Sequence, residues 1–272
     1  MVFKDRGIEI KTPEQIEKMR AAGLVVGQTL ELLRTSVRPG MTTLELDQIA
    51  EDNIRSSGAS PSFKGYHGFT GSICASVNDE VVHGIPGERV IEDGDVISID
   101  CGAIVDGWHG DAAITVAVGE VPAEALELMR VTEEAMWRGF AAARLGGRVT
   151  DISHAVESYV RSQGDYGIIE EYVGHGIGSA MHQPPNVPNY GRPGRGPKLV
   201  EGLALAVEPM VVIGHHATHV LADDWTVKTD DGSLAAHFEH TFTLTPQGAW
   251  VLTAIDGGEA KLTELGVPFG GS

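Results

Sequence analysis

Four carboxylates stand inside stretches otherwise apolar enough to be core strands: Asp100, Asp111, Glu208 and Glu239. Read with a period of two, Ile97 and Ile99 share one face of residues 96–101, while Asp100 shares the other with Ser98. A carboxylate buried there without a partner costs several kcal/mol, so it must be exposed, paired or bound to a cation. The chain turns near Asp106-Gly107 and returns through Ala112 to Val118, the pattern of a hairpin. A turn centred on Val105-Asp106 predicts that Asp100 and Asp111 face each other directly. Like charges so placed repel, and something positive between them would relieve that. In residues 203–210, Leu203, Leu205 and Val207 point one way; Ala204 and Ala206 lead up to Glu208 on the other and leave room for a ligand. In residues 237–244, Phe238, Phe242 and Leu244 form the apolar face, and Glu239 stands opposite with Thr241 and Thr243.

One such carboxylate usually marks an edge or a salt bridge. Asp106, Glu92 and Glu201 read as solvated turn residues of that ordinary kind. Four on strands, with no lysine or arginine alternating beside them, shift the balance toward ligation. His175, in the glycine-rich stretch G-H-G-I-G, adds a nitrogen donor. Such a set suits two divalent ions with a bridging carboxylate. Oxygen-rich ligation with a single imidazole points to Mn, Fe, Co or Zn, away from a thiolate site.

Around these strands the helices are plainly punctuated. Thr12-Pro13-Glu14-Gln15 has the form of a capped start, and Ile16, Met19, Leu24, Leu30 and Leu33 carry a helix to about Ser36. A second runs from about Thr43 to Ser57, with Leu44, Ile49 and Ile54 expected inward. The pattern then restarts. A long helix follows Pro122 to about Leu145, and a shorter one spans residues 151–163. Strand-like segments follow at 168–173, 203–213, 235–244 and 250–252. Long helix, short helix and strands, occurring twice, predict a single α+β domain over residues 1–272, with similar halves at about 12–120 and 121–255 and a site between them. The Gly/Pro-rich basic stretch at residues 189–198 reads as an exposed connection.

A net charge of −18 argues against nucleic acid and anionic lipid as partners. Two cysteines make no disulfide framework, the first residues lack a signal-peptide pattern, and no apolar run is long enough to span a membrane, so the expected address is the cytoplasm. There is no phosphate-binding loop, no H-E-x-x-H and no G-x-S-x-G. His237-Phe238-Glu239 matches the H-x-E fragment of a zinc deaminase, but no C-x-x-C follows.

The stretches C-A-S-V-N-D-E-V-V-H-G-I-P (74–86), I-S-I-D-C-G-A-I-V-D-G-W-H-G-D (97–111), G-H-G-I-G (174–178), V-E-P-M (207–210) and residues 225–240 resemble the type I methionine aminopeptidases, which have the pita-bread fold. The resemblance runs from about Ile10 to Thr253. It implies a curved antiparallel sheet covered by helices and a dinuclear metal centre held by Asp100, Asp111, His175, Glu208 and Glu239. It further implies that His83 and His182 touch the substrate at the scissile bond and that Glu208 shuttles a proton. Tyr66, Phe69, Cys74 and Trp225 would line the methionine pocket, although Tyr66 and Phe69, three apart, would equally suit packing on one helix face. Gly102, Ala112 and Met181 depart from the residues common in the family at those places.

The implied activity is removal of the initiator methionine from nascent chains, with a preference for small second residues, by a monomer that meets its substrates near the ribosome. Two other readings remain: an Xaa-Pro peptidase of the same fold, and a non-enzymatic binding protein that keeps the fold.

Overall fold

The computed structural model describes residues 7–271. The N-terminal residues 1–6, where the signal-peptide pattern is missing, lie outside them. Five helices are described: α1 (Pro13–Ser36), α2 (Thr43–Ser56), α3 (Ala123–Ala142), α4 (Val149–Gln163) and α5 (Glu259–Glu264). The α1 start is the capping box anticipated above, with Gln15 N 3.3 Å from Thr12 Oγ1 and Thr12 N 2.8 Å from Gln15 Oε1. Helix α4 begins two residues earlier than expected, because Asp151 is not the cap itself. Its carboxylate accepts from the Arg148 N–H, 2.8 Å away, from inside the first turn. Helix α3 ends at Ala142, before Leu145, where the next residue turns extended.

On α2 the inward face differs from the expectation. Leu46, Ala50 and Ile54, spaced by four, are buried, whereas Leu44 is 48% exposed and Ile49 is half-buried. The buried face is Thr43, Leu46, Asp47, Ala50 and Ile54, and Leu44 lies off it.

The strands that matter to the site are β1 (Ile73–Val77), β2 (Val96–Val105), β3 (Trp108–Ala117), β4 (Gly174–Gly176), β5 (Ala204–Val207), β6 (Met210–Val212), β7 (Ala235–His237), β8 (Glu239–Thr245) and β9 (Gly248–Val251). The central sheet runs β2-β3-β8-β5-β4, with β1 on β2, β9 on β8, and the short pieces Ser60–Pro61 and Gln183–Val187 at its ends. Every pairing in it is antiparallel. One buried cluster joins α1 and α2 to β1–β3 through Leu33, Leu46, Ile54, Ile73, Ile97 and Ile99. Another joins α3 and α4 to β5–β8 through Phe140, Val156, Val207, Phe238 and Phe242. The fold is therefore α+β, with helices over an antiparallel sheet. No described helix is long and apolar enough to cross a membrane.

Two details of the strands correct the sequence reading. The β2–β3 turn is Asp106-Gly107, whose φ values of 49° and 81° are the positive pair that a two-residue hairpin turn needs. Asp100 consequently pairs with Ala113, and Asp111 with Gly102. The two aspartates are diagonal neighbours, not opposite ones; the shift of two residues keeps them on one face. The long strands expected at 203–213 and 235–244 are each broken. Pro209 cannot donate to a ladder, and the chain leaves the central sheet there; its partner leaves at Phe238. Beyond the break, β6 pairs with β7 on one side and with Gly167–Ile168 on the other, in a separate three-stranded sheet. The expected strand at 168–173 contributes only that two-residue piece. Both breaks fall beside Glu208 and Glu239.

Helix α1 lies directly on the sheet. A Cβ on Gly23 would collide with the Leu252 carbonyl, and one on Gly110 of β3 would come within 2.8 Å of the Gly23 nitrogen. Gly23→Ala should therefore destabilise the protein by about 1–3 kcal/mol in urea denaturation, through overpacking. A change below about 0.5 kcal/mol would contradict this close packing.

Candidate metal centre

Three adjacent strands carry one row of residues across the central sheet: Asp100 on β2, Ala113 on β3 and Glu239 on β8, with Cys74 of β1 beside Asp100. Ala113 is small, so the two carboxylates flank an open space. Asp111 lies two residues back along β3 on the same face. Val207 pairs with His240, so Glu208 and Glu239, one step further along their strands, stand across from each other. His175 on β4 completes the ring. Its Nδ1 is 3.0 Å from the Gly176 carbonyl and donates to it, which leaves Nε2 facing inward, 3.4 Å from Glu208 Oε1.

These groups lack the partners that burial demands. Asp100 Oδ1, Asp111 Oδ1, Glu239 Oε1 and His237 Nε2 are all buried without a hydrogen bond. Burial, opposed by hydrogen bonds, raises Asp100 to about 7. Burial first, then the neighbouring carboxylates, pushes Asp111, Glu208 and Glu239 well above their ordinary values. Among the described residues, no lysine or arginine lines the cavity. The imidazoles of His175 and His237 are held neutral, at about 3, chiefly by burial. Neutral imidazoles beside carboxyls short of positive charge are the donor set a divalent cation takes. The distances agree. One donor atom from each of Asp111, His175 and Glu239 lies within 4.8 Å of the others, and so it is for Glu208, His237 and Glu239.

The cluster forms the floor of a cavity of about 540 Å³. Phe63, Phe69, Cys74 and Met181 make its apolar end, with Tyr66 and Trp225 packed against them. The rings of Phe69 and Trp225 meet edge to face at 5.1 Å. Tyr66 opens a 3₁₀ turn, Tyr66–Gly68, not an α-helix. Its hydroxyl is 2.9 Å from His182 Nδ1, and the His182 ring lies 4.3 Å from that of His175. His83 enters from the other side, on a backbone with φ 61°, and burial lowers it to about 4. Burial, reinforced by the carboxylates, also keeps the Cys74 thiol protonated. Every site residue inferred from the sequence thus borders this one cavity.

Other features were missed or only partly read. The H-x-E fragment that fits no deaminase holds a further donor: His237 Nε2 lies 3.9 Å from Glu208 and 3.8 Å from Glu239. The signal was its spacing: it sits two residues from Glu239. Asn189 was assigned to an exposed loop. Most of that loop is exposed, but Asn189 is fully buried, and its amide donates to the Glu208 carbonyl at 3.1 Å. The departures also have causes. A side chain at Gly102 would come within 2.8 Å of Ser62. Ala112 is buried in the core beneath α1 and α2. Asp111 is held through its backbone by Thr241, with contacts of 2.8 and 3.2 Å.

Fold and floor together define a metal-dependent peptidase: the chain belongs to metallopeptidase family M24, whose model matches residues 17–246. Membership implies use of a divalent metal. Within the family the chain is similar to the methionine aminopeptidase of Clostridium acetobutylicum, at 54% identity over 90% of this chain and 98% of that one. It is also similar to the crystal structure of methionine aminopeptidase from Thermotoga maritima, at 43% identity and a TM-score of 0.89, covering 91% of this chain and 99% of that one. The Xaa-Pro dipeptidase of Bacillus anthracis is more distant, at 26% identity and a TM-score of 0.70, and this chain covers only 61% of it. The pita-bread fold is thereby established.

The raised carboxyls set a pH dependence for metal-free protein. The folded chain keeps protons that the unfolded chain releases from about pH 4 upward. This contribution to stability is complete below that pH. For Asp100 it is lost as pH rises from 3.8 through about 7. The buried imidazoles, neutral in the folded chain, work the other way below about pH 6.5, so the test is a comparison: in urea denaturation without metal, Asp100→Asn should lose less stability, or gain more, between pH 5 and pH 7.5 than the unaltered protein. An identical pH dependence in the two proteins would count against the raised Asp100 carboxyl.

Proposed function

We infer that this chain is a metal-dependent aminopeptidase that removes the initiator methionine from nascent proteins. The observation that carries the reading is the unpartnered carboxylate floor joined to an apolar pocket, in a chain so similar to known methionine aminopeptidases. Asp100, Asp111, His175, Glu208 and Glu239 would hold the metal. Two ions are proposed, because donor atoms fall in two groups, Asp111 with His175 and Glu239, and Glu208 with His237 and Glu239, so His237 would stand beside the five as a further candidate donor. Co, Mn, Fe and Zn all suit such donors. Bound there, the ions would supply Lewis acidity and make a bound water acidic near neutral pH.

The chain's own residues do the rest. Tyr66 Oη lies 2.9 Å from His182 Nδ1; with the hydroxyl as donor, the ring proton sits on Nε2, free to donate to the scissile carbonyl oxygen as charge develops on it. His83 faces the same space from the opposite wall and contacts the substrate beside the scissile bond. Glu208, at the strand break, is placed to pass a proton to the leaving amine. Tyr66, Phe69, Cys74 and Trp225, with Met181, enclose the flexible thioether chain, whose burial is worth roughly 1.5–3 kcal/mol.

The same proposal covers a preference for small second residues and a cytoplasmic monomer that meets chains leaving the ribosome. A net charge of −18 fits partners reached without direct nucleic-acid contact. No observation favours the Xaa-Pro or non-enzymatic readings.

Purified protein with Mn²⁺ or Co²⁺ should release methionine from Met-Ala-Ser, and chelator should abolish the release. Cleavage of an Ala-Pro peptide alone would overturn the reading, and no cleavage of either with metal bound would favour a binding role. The two loop histidines separate further. His175→Ala should weaken metal binding in calorimetry by roughly 10-fold or more. His182→Ala should bind metal normally while turnover falls by about 100-fold. Equal metal loss in both would show that the division of roles is wrong.

A further inference from the structure

His182 sits in a loop, residues 177–182, that is neither helix nor strand. What holds this loop comes from far away in sequence. The Glu9 carboxylate accepts two hydrogen bonds from the loop, Ser179 N at 3.0 Å and Ser179 Oγ at 2.6 Å, and one from Gln183 Nε2 just after it, at 3.0 Å. Ser179 Oγ and Gln183 Nε2 are themselves 3.2 Å apart. Met181 and His182 therefore lie between two residues fixed to one anionic group. Such charge-assisted bonds are the stronger kind.

The anchor is itself well seated. Lys11, whose side chain is 1% exposed, holds its Nζ 3.7 Å from Glu9 Oε2 and donates to the Glu9 carbonyl at 3.1 Å. The Lys11 N–H donates to the Gly202 carbonyl at 2.8 Å. The loop rests directly on this strap, for any Cβ at Gly178 would collide with the Glu9 carboxylate and the Lys11 side chain. Gln183 and the following Pro184 also form part of the cavity wall.

We propose that Glu9 is a positioning residue for the reaction: through Ser179 and Gln183 it fixes the loop that presents His182 to the scissile carbonyl. This rests on the aminopeptidase reading above. Displacing an oriented group by about 1 Å lowers a rate on the order of 100-fold. Glu9 should thus act on turnover and leave the metal floor alone.

Three variants test this: Glu9→Ala, Glu9→Gln, and the double variant Ser179→Ala with Gln183→Ala. The double variant keeps Glu9 beside buried Lys11 and so guards against simple misfolding. Each would be measured for kcat and KM on Met-Ala-Ser with saturating Mn²⁺, for Mn²⁺ affinity, and for amide exchange across residues 177–184. Glu9→Ala and the double variant should lose roughly 10- to 100-fold in kcat. Their Mn²⁺ affinity should stay within about 2-fold, a change too small to reach the metal floor. Their loop amides should exchange faster. Glu9→Gln keeps one acceptor oxygen and should be intermediate. Unchanged kcat in the double variant, or metal affinity falling in step with kcat, would overturn the proposal. Should the unaltered protein release no methionine, the aminopeptidase reading fails on its own. Exchange then decides the anchoring: faster exchange in Glu9→Ala supports it, and unchanged exchange overturns it.

Discussion

Everything in this structure answers to the burial of Asp100, Asp111, Glu208 and Glu239 around one point, with no lysine or arginine beside them among the described residues. Brought together from three strands and the break that follows β5, their charges repel, and the cost of removing each from water adds to that. A chain that spent such free energy on stability alone would gain more from apolar residues of the same size. The arrangement makes physical sense as a site held ready for positive charge. It also explains why the donors stand on strands. Sheet backbones hold side chains more tightly than loops do, and repelling groups need that restraint.

The rest of the fold serves this restraint. Helices α1 and α2 press on one set of strands through Ile97 and Ile99, and α3 and α4 on another through Phe242 and Leu244, so the ladder is packed on the face turned away from the carboxylates. The breaks at Pro209 and Phe238 turn two chain segments from one sheet into another and bring Glu208, His237 and Glu239 to the corner. Substrate-facing groups sit differently. His83 and His182 lie on irregular backbone, where a ring can be aimed into the cavity, and they depend on side-chain contacts such as Tyr66 to His182 for orientation. The metal floor is rigid by topology, whereas the substrate wall is rigid only as far as its anchors hold.

Most of this was legible in the sequence because it rests on local rules. Alternation showed Asp100 and Glu239 opposing apolar neighbours, and capping chemistry marked the α1 start to the residue. What escaped was long-range or register-dependent. The pairing of Asp100 with Ala113 turned on whether the hairpin bends at Val105-Asp106 or Asp106-Gly107, and only the second pair takes two positive φ values without strain. The strand breaks were hidden because apolar residues continue on both sides of Glu208-Pro209. His237 was not read as a donor because a lone histidine on a strand has no meaning until the partner strand is known. Glu9 gave no local signal, since its partners lie some 170 residues away.

The central claim is that the buried carboxylates exist to hold divalent ions. Anomalous diffraction from crystals grown with Mn²⁺ tests it most directly. The account predicts two strong manganese peaks on the cavity floor, bonded to donors from Asp100, Asp111, His175, Glu208 and Glu239. A floor without manganese, in protein whose carboxylates keep the same arrangement, would contradict it.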